Sequence, residues 1–216
     1  VHKKWNENTA ILSGDAMFVK AYQSIAAVQP SILPTVLKRF SATGLEVCEG
    51  QQLDMNFEER DDVSVEEYLN MIRLKTAVLL GFSLELGAII AGCEQHLIDS
   101  LNSVGINAGL GFQLKDDLLD VFGEKEKVGK QVGGDIISNK KTFLLLKAQE
   151  IADQNQLKEL NHWISLKDFN EKEKVEAVTK IFLDLEIDKI TSKLVNSYFD
   201  KSLKLLNALN ISEQSK

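Results

Sequence analysis

The sequence predicts an all-α fold. No stretch shows the apolar–polar alternation of a half-buried strand. Only two prolines occur in 216 residues, close together at Pro30 and Pro34, which leaves room for long unbroken helices. Apolar residues recur three and four apart through most of the chain, the spacing that lines one helix face.

A chain of 216 residues buries one sizeable core, so one domain over residues 1–216 is expected. The hydrophobic share of 44% and charged share of 26% suit a globular protein. A net charge of −7 argues against a nucleic-acid backbone as partner. The same charge admits a diphosphate, provided that metal ions bridge the two sets of negative charge. Cys48 and Cys93, isolated in apolar helical stretches, read as reduced core thiols. No charged-then-apolar leader opens the chain. The most apolar run, Ala77 to Cys93, is interrupted by Glu85 and is short for a bilayer span. A cytoplasmic protein without a transmembrane segment is expected.

In order, Ile11, Leu12, Met17, Phe18, Val19, Tyr22 and Ile25 form a first helical stripe, with Gly14 read as a point of close helix packing. Pro30 breaks it, and Pro34 sits where a first-turn proline is tolerated, opening a second helix to about Phe57. On it Gln51 and Asp54 share a face and, taken alone, read as solvent-facing. Ser64 and Glu67 make a capping-box pattern that opens a third helix, running to about Gly92. Lys75-Thr76 lies on an otherwise apolar part of it. Lys75 is either snorkelling to the surface or a buried cation held by an anionic ligand.

A fourth helix spans about Glu94 to Phe122, and Gly105, Gly109 and Gly111 predict a kink or tight crossing. A loop from Gly123 to Gly134 precedes a fifth helix, about Asp135 to Asp153. A short helix at 157–164 and two amphipathic helices, Phe169–Leu185 and Asp188–Leu209, complete the chain.

The chemistry concentrates in residues 112 to 142, FQLKDDLLDVFGEKEKVGKQVGGDIISNKKT. Helical spacing puts Gln113, Asp116 and Asp120 in one row with Asp117 on its flank. Carboxylates so close repel one another. A hard divalent cation relieves that repulsion, because Mg²⁺ takes oxygen ligands and shares one or two carboxylates with a phosphate. A solvated acidic face is the plainer reading of a bare DDxxD. The flanks shift the balance: FQxxDDxxD, GKxxGxD and KxT follow one another within about thirty residues, at Phe112, Gln113, Asp116, Asp117, Asp120, Gly129, Lys130, Gly133, Asp135, Lys140 and Thr142.

This run resembles the second aspartate-rich region of the trans-isoprenyl diphosphate synthases (the polyprenyl synthetases), the family of the farnesyl and geranylgeranyl diphosphate synthases. The likeness extends over nearly the whole chain: HKKW through SGDA at residues 2–16, GQQLD at 50–54, and Lys75-Thr76. It implies a bundle of long antiparallel helices around a central cavity, a homodimer, and head-to-tail addition of isopentenyl diphosphate to an allylic prenyl diphosphate. It implies Mg²⁺, with Mn²⁺ as its substitute, held by Asp116, Asp117 and Asp120. Lys75 and Lys140 would contact the allylic diphosphate, Thr76 and Gln113 would lie along the ionising bond, Phe112 would face the developing cation, and Lys130 with its loop would close over the site.

The first aspartate-rich motif of that family is absent here, since Asp61-Asp62 lacks the partner acid and trailing arginines. The expectation is therefore the C-terminal part of a longer synthase, inactive by itself, with a short fifteen- or twenty-carbon product. A class I terpene cyclase or a non-catalytic partner subunit are the alternatives. A di-iron bundle is set aside, because His2, His96 and His162 supply no Glu-x-x-His pair.

Overall fold

The structure is a computed structural model, and it describes residues 1–123 and 133–210. Among these residues every regular element is a helix: α1 (Glu7–Ile25), α2 (Leu33–Glu58), α3 (Val65–Ile72), a π-turn (Arg73–Ala77), α4 (Val78–Ile90), α5 (Gln95–Phe122), α6 (Gly134–Ile137), α7 (Phe143–Ile151), α8 (Gln154–Ser165), α9 (Glu171–Asp184) and α10 (Ile187–Ala208). No described helix is long and apolar enough to cross a membrane.

Helix α5 is the axis. It packs most extensively against α4 and α10, and α2 lies on the π-turn and α4. Glycine makes the α4–α5 crossing close: a Cβ on Gly109 would lie 2.6 Å from Ala77 Cα, and one on Gly105 2.6 Å from Gly81 Cα. The tight crossing ahead of the aspartates is thus present. Around α5 one apolar cluster gathers Phe57, Tyr68, Met71, Leu114, Phe143 and Val195, and a second gathers Leu118, Leu144, Leu160, Ile181 and Phe182. Glu85, the acid inside the most apolar helix, is only 5% exposed. Arg39 grips it through two bonds of 2.5 and 2.7 Å, and Asn102 donates to it at 2.7 Å. This tie fixes α4 against both α2 and α5.

The capping box forms as its residues dictate: Glu67 N–H donates to Ser64 Oγ at 3.1 Å, and Ser64 N–H to Glu67 Oε2 at 2.8 Å. Four expectations are corrected. The third helix is one rod, but its turn at Arg73–Ala77 is widened to π geometry. The fifth helix breaks between α6 and α7, because Asn139 takes a left-handed φ of 55°. Cys48 is exposed and Cys93 half-buried, so neither is a core thiol. Helix α1 runs through Gly14 unbroken, and no atom lies within 4 Å of a Cβ placed there.

Candidate functional site

The site begins at the π-turn. The extra residue in a π-turn rotates successive side chains away from helical register. Lys75 is thereby aimed at α2, where its Nζ lies 2.6 Å from Asp54 Oδ2. Thr76 is aimed at α5, where its hydroxyl donates to Gln113 Oε1 at 3.2 Å. Asp54 is thus part of the site and not solvent-facing, whereas Gln51 is exposed. The approach of α2 depends on Gly50, whose Cβ would run into the Lys75 backbone.

From Thr76 a chain of polar contacts runs inward. Gln113 Nε2 donates to Asp117 Oδ1 at 3.2 Å, and the Tyr68 hydroxyl donates to Asp117 Oδ2 in a short bond. Tyr68 is 1% and Asp117 2% exposed. Burial pushes Asp117 up to about 6, opposed by the bonds from Tyr68 and Gln113. Burial and the facing Asp117 hold the Tyr68 phenol well above its usual range. Asp117 accordingly lies behind the acidic ridge, buttressed from α3, while Asp116 is exposed beside the equally exposed Phe112 one turn earlier. Sequence reasoning missed Tyr68; its signal was a tyrosine in an apolar helix face, where a buried hydroxyl requires a partner.

Asp120 ties the ridge to the segment that follows α5. Its Oδ2 accepts the Asp135 N–H at 2.9 Å, and its backbone carbonyl accepts the Gly133 N–H at 2.7 Å. Gly133 has a φ of 85°, which glycine takes without strain. Asp135 in turn faces Lys140, with Oδ1 and Nζ 3.6 Å apart. Burial raises Asp135, Lys140 counters, and the carboxylates of Asp120 and Asp116 push it further up. For Lys140 burial works downward, but Asp135, Asp117 and Asp54 together leave its ammonium held above the ordinary lysine value. Lys140 also lines a cleft of about 540 Å³ with Asp54, Glu58, Asp61 and Lys141. Lys75 is thus tied, through Asp54, to the cleft that Lys140 lines. Lys130 lies outside the described residues.

Whether these residues suit a magnesium ion turns on their donors. Among the described residues no three acid, imidazole or thiol side chains stand close enough together to hold an ion by themselves. Magnesium does not demand that; it keeps several waters and binds through one or two carboxylates plus substrate phosphate. Asp116 and Asp120, one helical turn apart with oxygen donors and with Asp135 near enough to feel both charges, meet that requirement.

The polyprenyl synthetase family profile matches residues 1–182. A geranylgeranyl diphosphate synthase of Saccharolobus solfataricus is 34% identical over 219 residues, an alignment covering 100% of this chain and 65% of that protein. A geranylgeranyl pyrophosphate synthase of Geoglobus acetivorans is 41% identical over 152 residues, 69% of this chain and 47% of that protein. A crystal structure of a geranylgeranyl pyrophosphate synthase superposes with a TM-score of 0.93 at 47% identity, covering 100% of this chain and 67% of its own. The chain spans about half to two thirds of the length of these relatives. With the motifs, the helical bundle and the profile in agreement, the chain belongs to the polyprenyl synthetase family.

Proposed function

We propose that this chain carries the allylic-diphosphate half of a prenyltransferase site, in a protein that condenses isopentenyl diphosphate with an allylic prenyl diphosphate. The observation that carries the reading is that both lysines are tied to one group of acids: Lys75 pairs with Asp54, which lines the cleft of Lys140, and Lys140 faces Asp135, whose N–H is held by Asp120 of the ridge. Two ammonium groups facing only carboxylates form a poor anion site. Once magnesium neutralises the ridge, the same lysines are free to receive a diphosphate.

Asp116 and Asp120 would hold the metal, with Asp117 supporting Gln113 from behind. The bound metal supplies neutralisation of the leaving pyrophosphate. Lys75 and Lys140 donate to the same departing charge from fixed positions, which is electrostatic preorganisation. Thr76 and Gln113, already bonded to one another, set the line along which the allylic C–O bond opens, and exposed Phe112 presents a ring face to the cation. The reaction needs no side-chain base near neutrality, because the departing pyrophosphate accepts the proton lost from the new chain end. The geranylgeranyl names of the relatives favour a twenty-carbon product over a fifteen-carbon one. A homodimer is the assembly that the family likeness suggests.

The test is product analysis of the whole protein with radiolabelled isopentenyl diphosphate, farnesyl diphosphate and Mg²⁺. A geranylgeranyl product, lost on chelation, supports the reading. A cyclised hydrocarbon or no magnesium-dependent product contradicts it.

A further inference from the structure

Lys174 is a lysine with no exposed surface. It sits in the first turn of α9, where the helix dipole disfavours a cation. Its partners are uncharged: Nζ donates to Asn139 Oδ1 at 2.6 Å and lies 4.0 Å from the centroid of the Phe169 ring. Among the described residues no acid pairs with it. Burial depresses its ammonium below the ordinary lysine value.

What Lys174 holds explains its presence. Asn139 is the left-handed residue that breaks the chain between α6 and α7. Its side-chain amide is used at both ends, accepting from Lys174 and donating from Nδ2 to the Ile164 carbonyl at 3.0 Å. The next residue is Lys140, whose N–H closes the turn onto the Asp135 carbonyl at 2.9 Å. Asp135, Asn139, Lys140 and Lys174 also line one small cavity of about 20 Å³, room for a single water. Asn is one of the few non-glycine residues that adopt a left-handed backbone, and it holds that conformation where its surroundings fix it.

We infer that Lys174 is a positioning residue: through Asn139 it fixes the left-handed turn that presents Lys140 to the diphosphate. This rests on the reading of Lys140 as a diphosphate ligand. Without the Lys174 bond the turn samples other conformations, and affinity falls in proportion to the time Lys140 spends out of place.

The test is calorimetric titration of the 216-residue chain with inorganic pyrophosphate in excess Mg²⁺, alongside hydrogen exchange of residues 138–142. Lys174→Met is expected to keep the helical circular dichroism, weaken pyrophosphate about 5-fold and speed exchange in that segment. Asn139→Ala should do the same, and the double variant should be no weaker than the weaker single, as expected for two residues acting through one contact. Should Lys174→Met not fold, Asn139→Ala at its half-buried position carries the test. Lys140→Ala separates the two claims. If it weakens pyrophosphate while both Lys174→Met and Asn139→Ala bind as the wild type does, the positioning role is overturned and the reading of Lys140 stands. If Lys140→Ala binds like wild type, both fall.

Discussion

Lys75 Nζ lies 2.6 Å from Asp54 Oδ2, joining the π-turn to the C-terminal part of α2. That ion pair exists because Gly50, four residues before Asp54, leaves no Cβ between α2 and the Lys75 backbone. The lysine is a third exposed and the carboxylate 17%, so it is a cleft-wall pair whose cation is still reachable by a ligand. Replacing Gly50 by alanine forces the helices apart. The expected cost is about 1–3 kcal/mol, as for overpacked cores, read as a lower urea midpoint at unchanged m-value.

Removal of either cation tests the anion site itself. A hydrogen bond to a charged group contributes about 1.5–3 kcal/mol, so Lys75→Ala and Lys140→Ala should each weaken magnesium pyrophosphate roughly 10- to 100-fold. Lys75→Ala also leaves Asp54 without its ammonium and should cost some stability, whereas Ser64→Ala should cost about 1 kcal/mol of stability through the lost cap and leave binding unchanged.

The Tyr68–Asp117 contact predicts a pH dependence of folding. An unfolded aspartate titrates near 3.9, and burial lifts Asp117 to about 6. Between those values the folded state keeps a proton that the unfolded state has released. Stability contributed by this group is therefore greatest in acid, falls as pH rises through that window, and levels off above about 6. The change is on the order of 2–3 kcal/mol. Urea unfolding in chelator across that range should show Asp117→Asn flattening this part of the profile. Tyr68→Phe should carry the fall to higher pH, because the lost donor favoured the ionised form; it should cost about 1–3 kcal/mol near neutrality and less in acid.

The parts of this fold that were legible in the sequence are those whose signal is local. Ser64 and Glu67 announce a helix start because the capping contacts join residues three apart. Gly105 and Gly109 announce a close crossing because the missing Cβ is itself the cause. The Asp-rich run likewise announces a charge problem on one helix. What stayed hidden depends on neighbours distant in sequence. Helical spacing shows which side chains share a face but not which face meets the core, so Asp117 and Asp54 could not be placed without Tyr68 and Lys75. One extra residue in a turn leaves no trace in an apolar run, which hid the π-turn. The break at Asn139 has neither proline nor glycine to mark it, and the bond that Lys174 makes to its side chain comes from thirty-five residues away.

With magnesium neutralising the Asp116–Asp120 ridge, Lys75 and Lys140 are proposed to bind a diphosphate. Calorimetry of pyrophosphate binding with and without Mg²⁺ tests it most directly. Binding is expected only with the metal, weakened at least about tenfold in Asp116→Asn and Asp120→Asn. Pyrophosphate binding of equal strength in chelator, or unchanged in both aspartate variants, would contradict it.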